Sequence, residues 1–438
     1  MDPVIKPSEA HMINLTPWRN APTWYIAFSG GLDSTVLLHL LAEHARQTSA
    51  PALRALHIHH GLQSAADAWP AHCQAICDKL GIELQVIYVQ VSSSASLEQA
   101  ARDARYAAFE QILAPGEILF TAHHRDDQAE TLLLRLLRGA GLRGLAAMPA
   151  QRRLGQGSLV RPLLGTSRQQ LHDYAHANEL VWIEDPTNVD TTFDRNYLRA
   201  EMFAPLQQRW PQARQNIARC AEHLGEALGL LDELAAGDLA QAVQGAAPAW
   251  ATLPSLDLAT LARLSPARQR NALQYWLSKR TRLPDTRHWA GWANLRDAAA
   301  DAQPVWRLAD GCLQRSQGRI WWLSGDWLQT PKGEYPWADP GASLALPGNG
   351  YVRLDVAGPQ SDLHIAYRQG GEMLDVAGRG RRDLKRLLNE LQVPHFVRPR
   401  LPLLFCGERL LAVANLPSLA QADCQLHWAL PTNAQGLS

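Results

Sequence analysis

Lysine is scarce in this 438-residue chain: Lys6, Lys79, Lys279, Lys332 and Lys385 are all there are. None of them closes a glycine-rich turn, so a Walker phosphate loop, which needs lysine on the β and γ phosphates, is excluded. Nor does the glycine turn after the first apolar stretch, SGGLDS, have the GxGxxG form of a dinucleotide fold. Net charge is absent, with 42 basic and 42 acidic residues. A polyanionic partner would therefore be met by local patches, not by a global field. The six cysteines form no CxxC pair, and Cys73 and Cys77 sit one helical turn apart, a spacing that suits packing more than metal binding. No apolar run reaches the length of a membrane span, and the N-terminus carries early acids with no apolar signal core. These absences predict a cytoplasmic protein in a reducing compartment, with no membrane partner.

What is present is rhythm. Between residues 24 and about 150, β-like stretches ("WYIAF", "LRALHIHH", "ELQVIYVQV", "EILFTAHH") alternate with amphipathic ones ("STVLLHLLAEHARQ", "SLEQAARDARYAAFEQIL", "DQAETLLLRLLRG"). Such alternation predicts an α/β fold, a parallel sheet with helices on both faces. From about 205 to 300 the chain is rich in alanine and leucine and reads as helical throughout. The Pro/Gly-dense stretch at 330–350 reads as a linker, and the remainder as a small mixed α+β domain. The expected division is 1–215, 216–330 and 345–438.

The first strand runs into "SGGLDS", and a helix leaves it. Gly30 and Gly31 can adopt backbone angles that present N–H groups to phosphate oxygens, and the helix start adds its positive end. Ser29 and Ser34 supply hydroxyls. Without a lysine for the γ-phosphate, the turn suits a departing pyrophosphate. Asp33 would repel phosphate unless a cation intervenes, and otherwise caps the helix. A second cluster, "TAHHRDDQAET" at 121–131, ends a strand with His123 and His124 and starts a helix on which Asp127, Glu130 and Thr131 share a face. This group could hold a magnesium ion or accept a proton from an amine. Ser29, His60 and His123 all fall beyond strand ends, the ligand side of a parallel sheet. Arg102 can pair with Glu98, whereas Arg105 has no acid at helical spacing. Arg195 and Arg199, one turn apart, have none either and so predict a bound anion.

In order along the chain stand SGGLDS, HHGL (59–62), AARDARY (100–106), AHHRDDQAET, RPLL (161–164), EDPTN (184–188) and RNYLR (195–199). Together they resemble the tRNA(Ile)-lysidine synthetase family of PP-loop ATP pyrophosphatases, and residues 368–405 resemble its tail. One departure is Gln63, where members often have arginine. The resemblance implies adenylation of cytidine 34 in the CAU anticodon of tRNA(Ile) by ATP, with release of pyrophosphate. Free L-lysine then displaces AMP to give lysidine. By the same resemblance, Ser29, Gly30, Gly31, Leu32, Asp33, Ser34 and His60 would bind ATP. Asp33, Arg105, His123 and Asp127 would be catalytic, and Asp33, Asp127 and Glu130 would hold magnesium. Arg195, Asn196 and Arg199 would bind substrate or tRNA. In the tail, "RRDLKRLLNELQV" reads as a helix with Leu384, Leu387, Leu388 and Leu391 facing the core. Arg382 and Lys385 would be left free for tRNA phosphate, with Arg386 paired to Glu390. A 2-thiocytidine synthetase, an amidotransferase-type synthetase and a catalytically silent tRNA chaperone are the alternatives; whether the chain forms a homodimer is left open.

Overall fold

The computed structural model describes residues 12–61, 64–91, 97–243, 253–285, 287–299, 302–356, 362–376, 378–420 and 424–431. The chain divides into two compact units, 1–230 and 231–437.

The first unit is built on a six-stranded sheet in the order β3-β2-β1-β4-β6-β5. Its strands are β1 (Thr23–Ala27), β2 (Ala52–His59), β3 (Glu83–Tyr88), β4 (Ile118–Phe120), β5 (Gln151–Leu154) and β6 (Gly157–Val160). All neighbours are parallel except β5, which runs antiparallel at the edge. The helices are α1 (Leu32–Gln47), α2 (Trp69–Leu80), α3 (Leu97–Ile112), α4 (Arg125–Leu137), α5 (Leu142–Leu145), α6 (Arg168–Ala177), α7 (Asp194–Tyr197), α8 (Ala204–Arg209) and α9 (Ala213–Val243). A π-helical stretch, Leu198–Phe203, joins α7 to α8.

Side chains alternate across a strand, so a sheet covered on both faces must be apolar at successive positions. Strand β1 obeys this rule. Trp24 and Ile26 face a core shared with α1, α2 and α6, including Leu37, Leu41, Cys73 and Leu171. Tyr25 faces the other core, with Leu56, Leu119 and, from α3, Phe109. Cys73 and Cys77 are packing residues: both are fully buried, and burial pushes their thiols up to about 12.

The second unit begins within α9. It continues through β7 (Ser255–Asp257), α10 (Leu258–Ala262), α11 (Pro266–Ser278), α12 (Ala290–Asp297), β8 (Val305–Arg307), β9 (Cys312–Ser316) and β10 (Arg319–Leu323). The expectation of helix throughout 205–300 therefore meets a strand at 255–257, which pairs antiparallel with β10. Strand β10 explains why the helical and C-terminal parts form one unit. Ile320 and Trp322 enter the core made with α11 and α12, whereas Trp321 and Leu323 enter the C-terminal core.

The stretch expected to be a linker holds strands β11 (Glu334–Pro336) and β12 (Leu344–Ala345). Trp337 and Leu346 are buried in the C-terminal core, so proline and glycine here shape turns inside a packed domain. After β13 (Tyr351–Val356) and β14 (Leu363–Ala366) comes a hairpin, β15 (Met373–Val376) and β16 (Gly380–Asp383). Then follow α13 (Leu384–Glu390), β17 (Leu403–Cys406), β18 (Arg409–Val413) and β19 (Cys424–Ala429). The expected basic helix is thus shorter than its pattern. Positive φ at Gly378 and Gly380 turns the chain into the hairpin, and Arg382 pairs across it with Leu374. Asp383 caps α13 by accepting from the Arg386 backbone N–H. Leu384, Leu387 and Leu388 are buried, but Leu391 lies outside the helix and is 39% exposed. Glu390 pairs with Arg379 at 2.8 Å instead of with Arg386. Among the described residues no helix is long and apolar enough to cross a membrane.

Candidate active site

The parallel register sets the carboxyl ends of β1, β2 and β4 side by side, so Ser29, His60 and His123 share one rim. At the first of these, Gly30 has φ +83°, a conformation L side chains rarely adopt. A Cβ there would stand 2.8 Å from Ile183 Cδ1 and 2.9 Å from Cys73 Sγ. The turn is braced from behind by Ile183, whose N–H donates to Gly30 O at 2.8 Å. Within the turn, Ser34 Oγ donates to Gly31 O, and the Ser29 and Ser34 hydroxyls meet at 3.0 Å. No side chain caps α1, which starts at Leu32, so its first-turn amides remain available to an anion.

The next strand end supplies His60. Arg105 of α3 reaches its Nε2 at 3.1 Å, and burial together with Arg105 pushes the imidazole down to about 4. Gln63 lies outside the described residues.

At the third strand end the decisive residue is the second histidine, to which the sequence pattern assigned no role. His124 is 1% exposed and caps α4: its Nδ1 accepts from the Asp126 and Asp127 N–H groups, while Asp127 Oδ2 accepts from the His124 N–H. The opposite ring atom, Nε2, faces Asp127 Oδ2 at 3.5 Å and Asp33 Oδ2 at 3.6 Å. Burial disfavours charge on this ring, Asp127 and Asp33 favour it, and the balance holds its pKa above the ordinary value. With Nδ1 engaged as acceptor, the neutral ring carries its hydrogen on Nε2 and bridges the two acids. A histidine three residues before an acid at a helix start is the capping-box spacing, the signal that could have found it.

His123 Nδ1 lies 3.0 Å from Thr121 Oγ1. Burial, with nearby Arg161, Arg102 and Arg195, outweighs Asp127 and pushes this ring down to about 3. Asp127 is held at about 2: burial opposes its charge, but His124, His123, Arg195 and Arg199 favour it.

Arg195 and Arg199 do meet an anion, but it belongs to the chain itself. Arg199 Nε donates to Glu130 Oε1 at 2.6 Å and its Nη2 to Asp127 Oδ1 at 3.1 Å. Arg195 Nη2 donates to Thr131 Oγ1 at 3.0 Å, and its Nε lies 3.5 Å from Glu130 Oε2. Arg214 of α9 adds a third guanidinium, 3.5 Å from Glu130 and 3.7 Å from Asp126. Asn196 braces its own loop, donating to Thr187 O and Asp190 O. Of the three residues expected at magnesium, Glu130 and Asp127 are thus engaged by arginine. Asp33 keeps a buried oxygen, Oδ1, with no protein partner and fits a cation. Among the described residues no group of three or more metal-ligating side chains forms. Arg102 lies over the Tyr106 ring at 4.9 Å rather than on Glu98. Arg382 and Lys385 are exposed in the second unit.

A glycine turn between a central parallel strand and a helix, with no lysine and an acid at the helix start, defines an ATP-binding domain of the PP-loop type. Residues 5–206 match the model of the PP-loop domain. Residues 256–321 match that of the TilS substrate binding domain, and residues 363–431 that of the TilS substrate C-terminal domain. The chain is 78% identical over 427 residues to the tRNA(Ile)-lysidine synthase of Pseudomonas putida, covering 98% of this chain and 100% of the relative. It is 58% identical to that of Pseudomonas aeruginosa, covering 99% of each, and 40% identical to that of Escherichia coli O157:H7, covering 89% and 91%. The chain belongs to the tRNA(Ile)-lysidine synthase family.

Proposed function

We propose that the chain joins the ε-amine of free L-lysine to C2 of cytidine 34 in the CAU anticodon of tRNA(Ile). ATP first adenylates the C2 oxygen and releases pyrophosphate; the amine then displaces AMP, leaving lysidine and changing codon reading from AUG to AUA. The observation that carries this reading is the rim itself: uncapped amides at α1, Asp33 with a free buried oxygen, and His124 tying Asp33 to Asp127.

A ring carbonyl conjugated like an amide is a poor electrophile, and adenylation turns its oxygen into a leaving group. The amides of Leu32, Asp33 and Ser34 would donate to the pyrophosphate oxygens. A magnesium ion on the phosphates would neutralise their charge, with Asp33 as its protein ligand. Lysine's ε-ammonium, with a pKa near ~10.4, must be neutral to attack. Only the neutral fraction of that amine attacks. His123, near 3, and Asp127, near 2, are too weak as bases to strip a free ammonium. They would take the proton only as the C–N bond forms, when the nitrogen has become acidic. The reading keeps the division into a catalytic part (1–215), a helical part (216–330) and a C-terminal part (345–438), the last two serving tRNA binding in the cytoplasm.

Radiolabelled lysine offered with ATP should enter the isoleucine tRNA and not a methionine tRNA with the same anticodon letters. Chromatography of the nucleotides should give AMP and pyrophosphate; stoichiometric ADP would overturn the reading. Asp33→Asn should abolish incorporation while tRNA binding persists. Retention of a tenth of the rate would leave Asp33 less than ~1.4 kcal/mol of the barrier, and hence no catalytic role.

A further inference from the structure

Tyr106, on α3, is surrounded by guanidinium groups. Arg102, one turn earlier, lies over its ring at 4.9 Å and reaches its hydroxyl at 3.4 Å. Arg152, on the edge strand β5, lies 5.0 Å from the same ring. Arg161, the residue after β6, is 4% exposed; its Nη1 donates to Pro149 O, and its Nε is buried with no partner. No carboxylate among the described residues lies within ion-pair distance of these three arginines or of Arg105. Arg161 also hydrogen-bonds the Tyr106 hydroxyl, and the cations acting on it are Arg152 and Arg102. Partly buried like charges without a counterion are costly, and an anion resolves both the repulsion and the orphaned donor.

The cluster's place in the sheet says which anion. From β1, which carries the phosphate turn, the order runs through β4 to β6 and then to the edge strand β5. Arg161 and Arg152 are thus two and three strands from the ATP turn, about 10–15 Å at ordinary strand spacing. That is too far for the phosphates held at α1. It is on the same rim, however, since Arg161 and Arg102 both act on His123. Arg102 is exposed and Arg152 half-buried, so the cluster opens outward.

We infer that Arg102, Arg152 and Arg161 form a subsite for a backbone phosphodiester of the RNA, next to the nucleotide under modification. The inference rests on the RNA-modifying reading above and assigns it a contact on the catalytic domain. The cluster fixes the strand, and Tyr106 holds two of the guanidiniums in place by its π-face.

The test is tRNA(Ile) transcript binding to the full chain across a KCl series, without ATP, for wild type, Arg102→Ala/Arg152→Ala and Arg102→Lys/Arg152→Lys. Arg161 is left intact because its burial would confound folding. Loss of two phosphate contacts should lower the salt slope by about 1.4–1.8 and weaken binding roughly 25–60-fold at 0.1 M salt. The lysine pair should keep the wild-type slope. KM for ATP and for lysine at saturating tRNA should not move. A wild-type slope in the alanine pair overturns the inference. So does an unchanged slope with a raised lysine KM, which would give the cluster to the amino acid's carboxylate. Loss of slope in the lysine pair as well would mark a structural role and equally overturn it. If the wild type incorporates no lysine into tRNA, the underlying reading fails; if it does and only the slope result fails, this inference falls alone.

Discussion

Replacing Glu130 by glutamine removes one charge and almost no volume. The carboxylate is 1% exposed and serves three arginines: Arg199 at 2.6 Å, with Arg214 and Arg195 at 3.5 Å. Breaking a buried pair from one side costs about 3–5 kcal/mol, because the remaining charge stays desolvated. Here the guanidiniums keep 18–29% of their side-chain surface in water, so solvent recovers part of that cost. About 3 kcal/mol remains. For a unit of 230 residues this should lower the melting temperature by about 6–12 °C. Circular dichroism melts of Glu130→Gln, Arg199→Gln and the double variant at pH 7.5 form a cycle whose coupling should be about 1–3 kcal/mol. A Glu130→Gln melt within about 2 °C of wild type, or strictly additive single effects, would refute the network. Arg195 and Arg199 would then be free for an outside anion after all.

Gly30→Ala forces a Cβ against Ile183 and Cys73 at a positive φ. Equilibrium dialysis should show ATP binding weakened at least tenfold, with stability lower by about 1–3 kcal/mol; wild-type ATP affinity would mean the turn is not the phosphate cradle. His124→Ala removes the α4 cap and should cost about 1–2 kcal/mol in urea unfolding, whereas His124→Asn, still a capping acceptor, should recover stability but not lysidine formation. If Asn recovers both, His124 acts only as a cap. Acid should destabilise the fold through His60 and His123. Both bind a proton more readily when unfolded, near 6.5, than when folded, at about 4 and 3. Their stability contribution is present above pH 6.5 and is lost as pH falls toward those values. Stability of His60→Gln/His123→Gln should depend less on pH between 6.5 and 4, and an unchanged profile contradicts the assignment. Arg382→Ala with Lys385→Ala should weaken tRNA binding and lower its salt slope by about 1.4–1.8, leaving product formation at saturating tRNA near wild type.

The strand–helix alternation of the first unit was legible because both faces of its sheet are buried, which forces apolar runs of strand length between helical periods. The phosphate turn was legible for a different reason: glycine pairs, hydroxyls and a missing lysine are local chemistry, written in consecutive residues. The stretch at 330–350 misled because proline and glycine mark turns in a packed domain as much as in a linker. Only the burial of Trp337 and Leu346 tells the two apart. Leu384, Leu387 and Leu388 kept their helical period and their burial, but the glycines at 378 and 380 had already turned Arg382 into a hairpin strand. Charge partners were the least legible. Local spacing found no acid for Arg195 or Arg199, yet Glu130 lies 65 and 69 positions earlier in the sequence and is their partner, because α4 and α7 are brought together only by the fold. Composition and pattern therefore determined the class of sheet and the kind of phosphate turn. Which acids stay free for a cation, which arginines remain for an anion, and that His124 rather than His123 joins Asp33 to Asp127 were decided by tertiary structure, since electrostatic partnership depends on distance in space and not on distance along the chain.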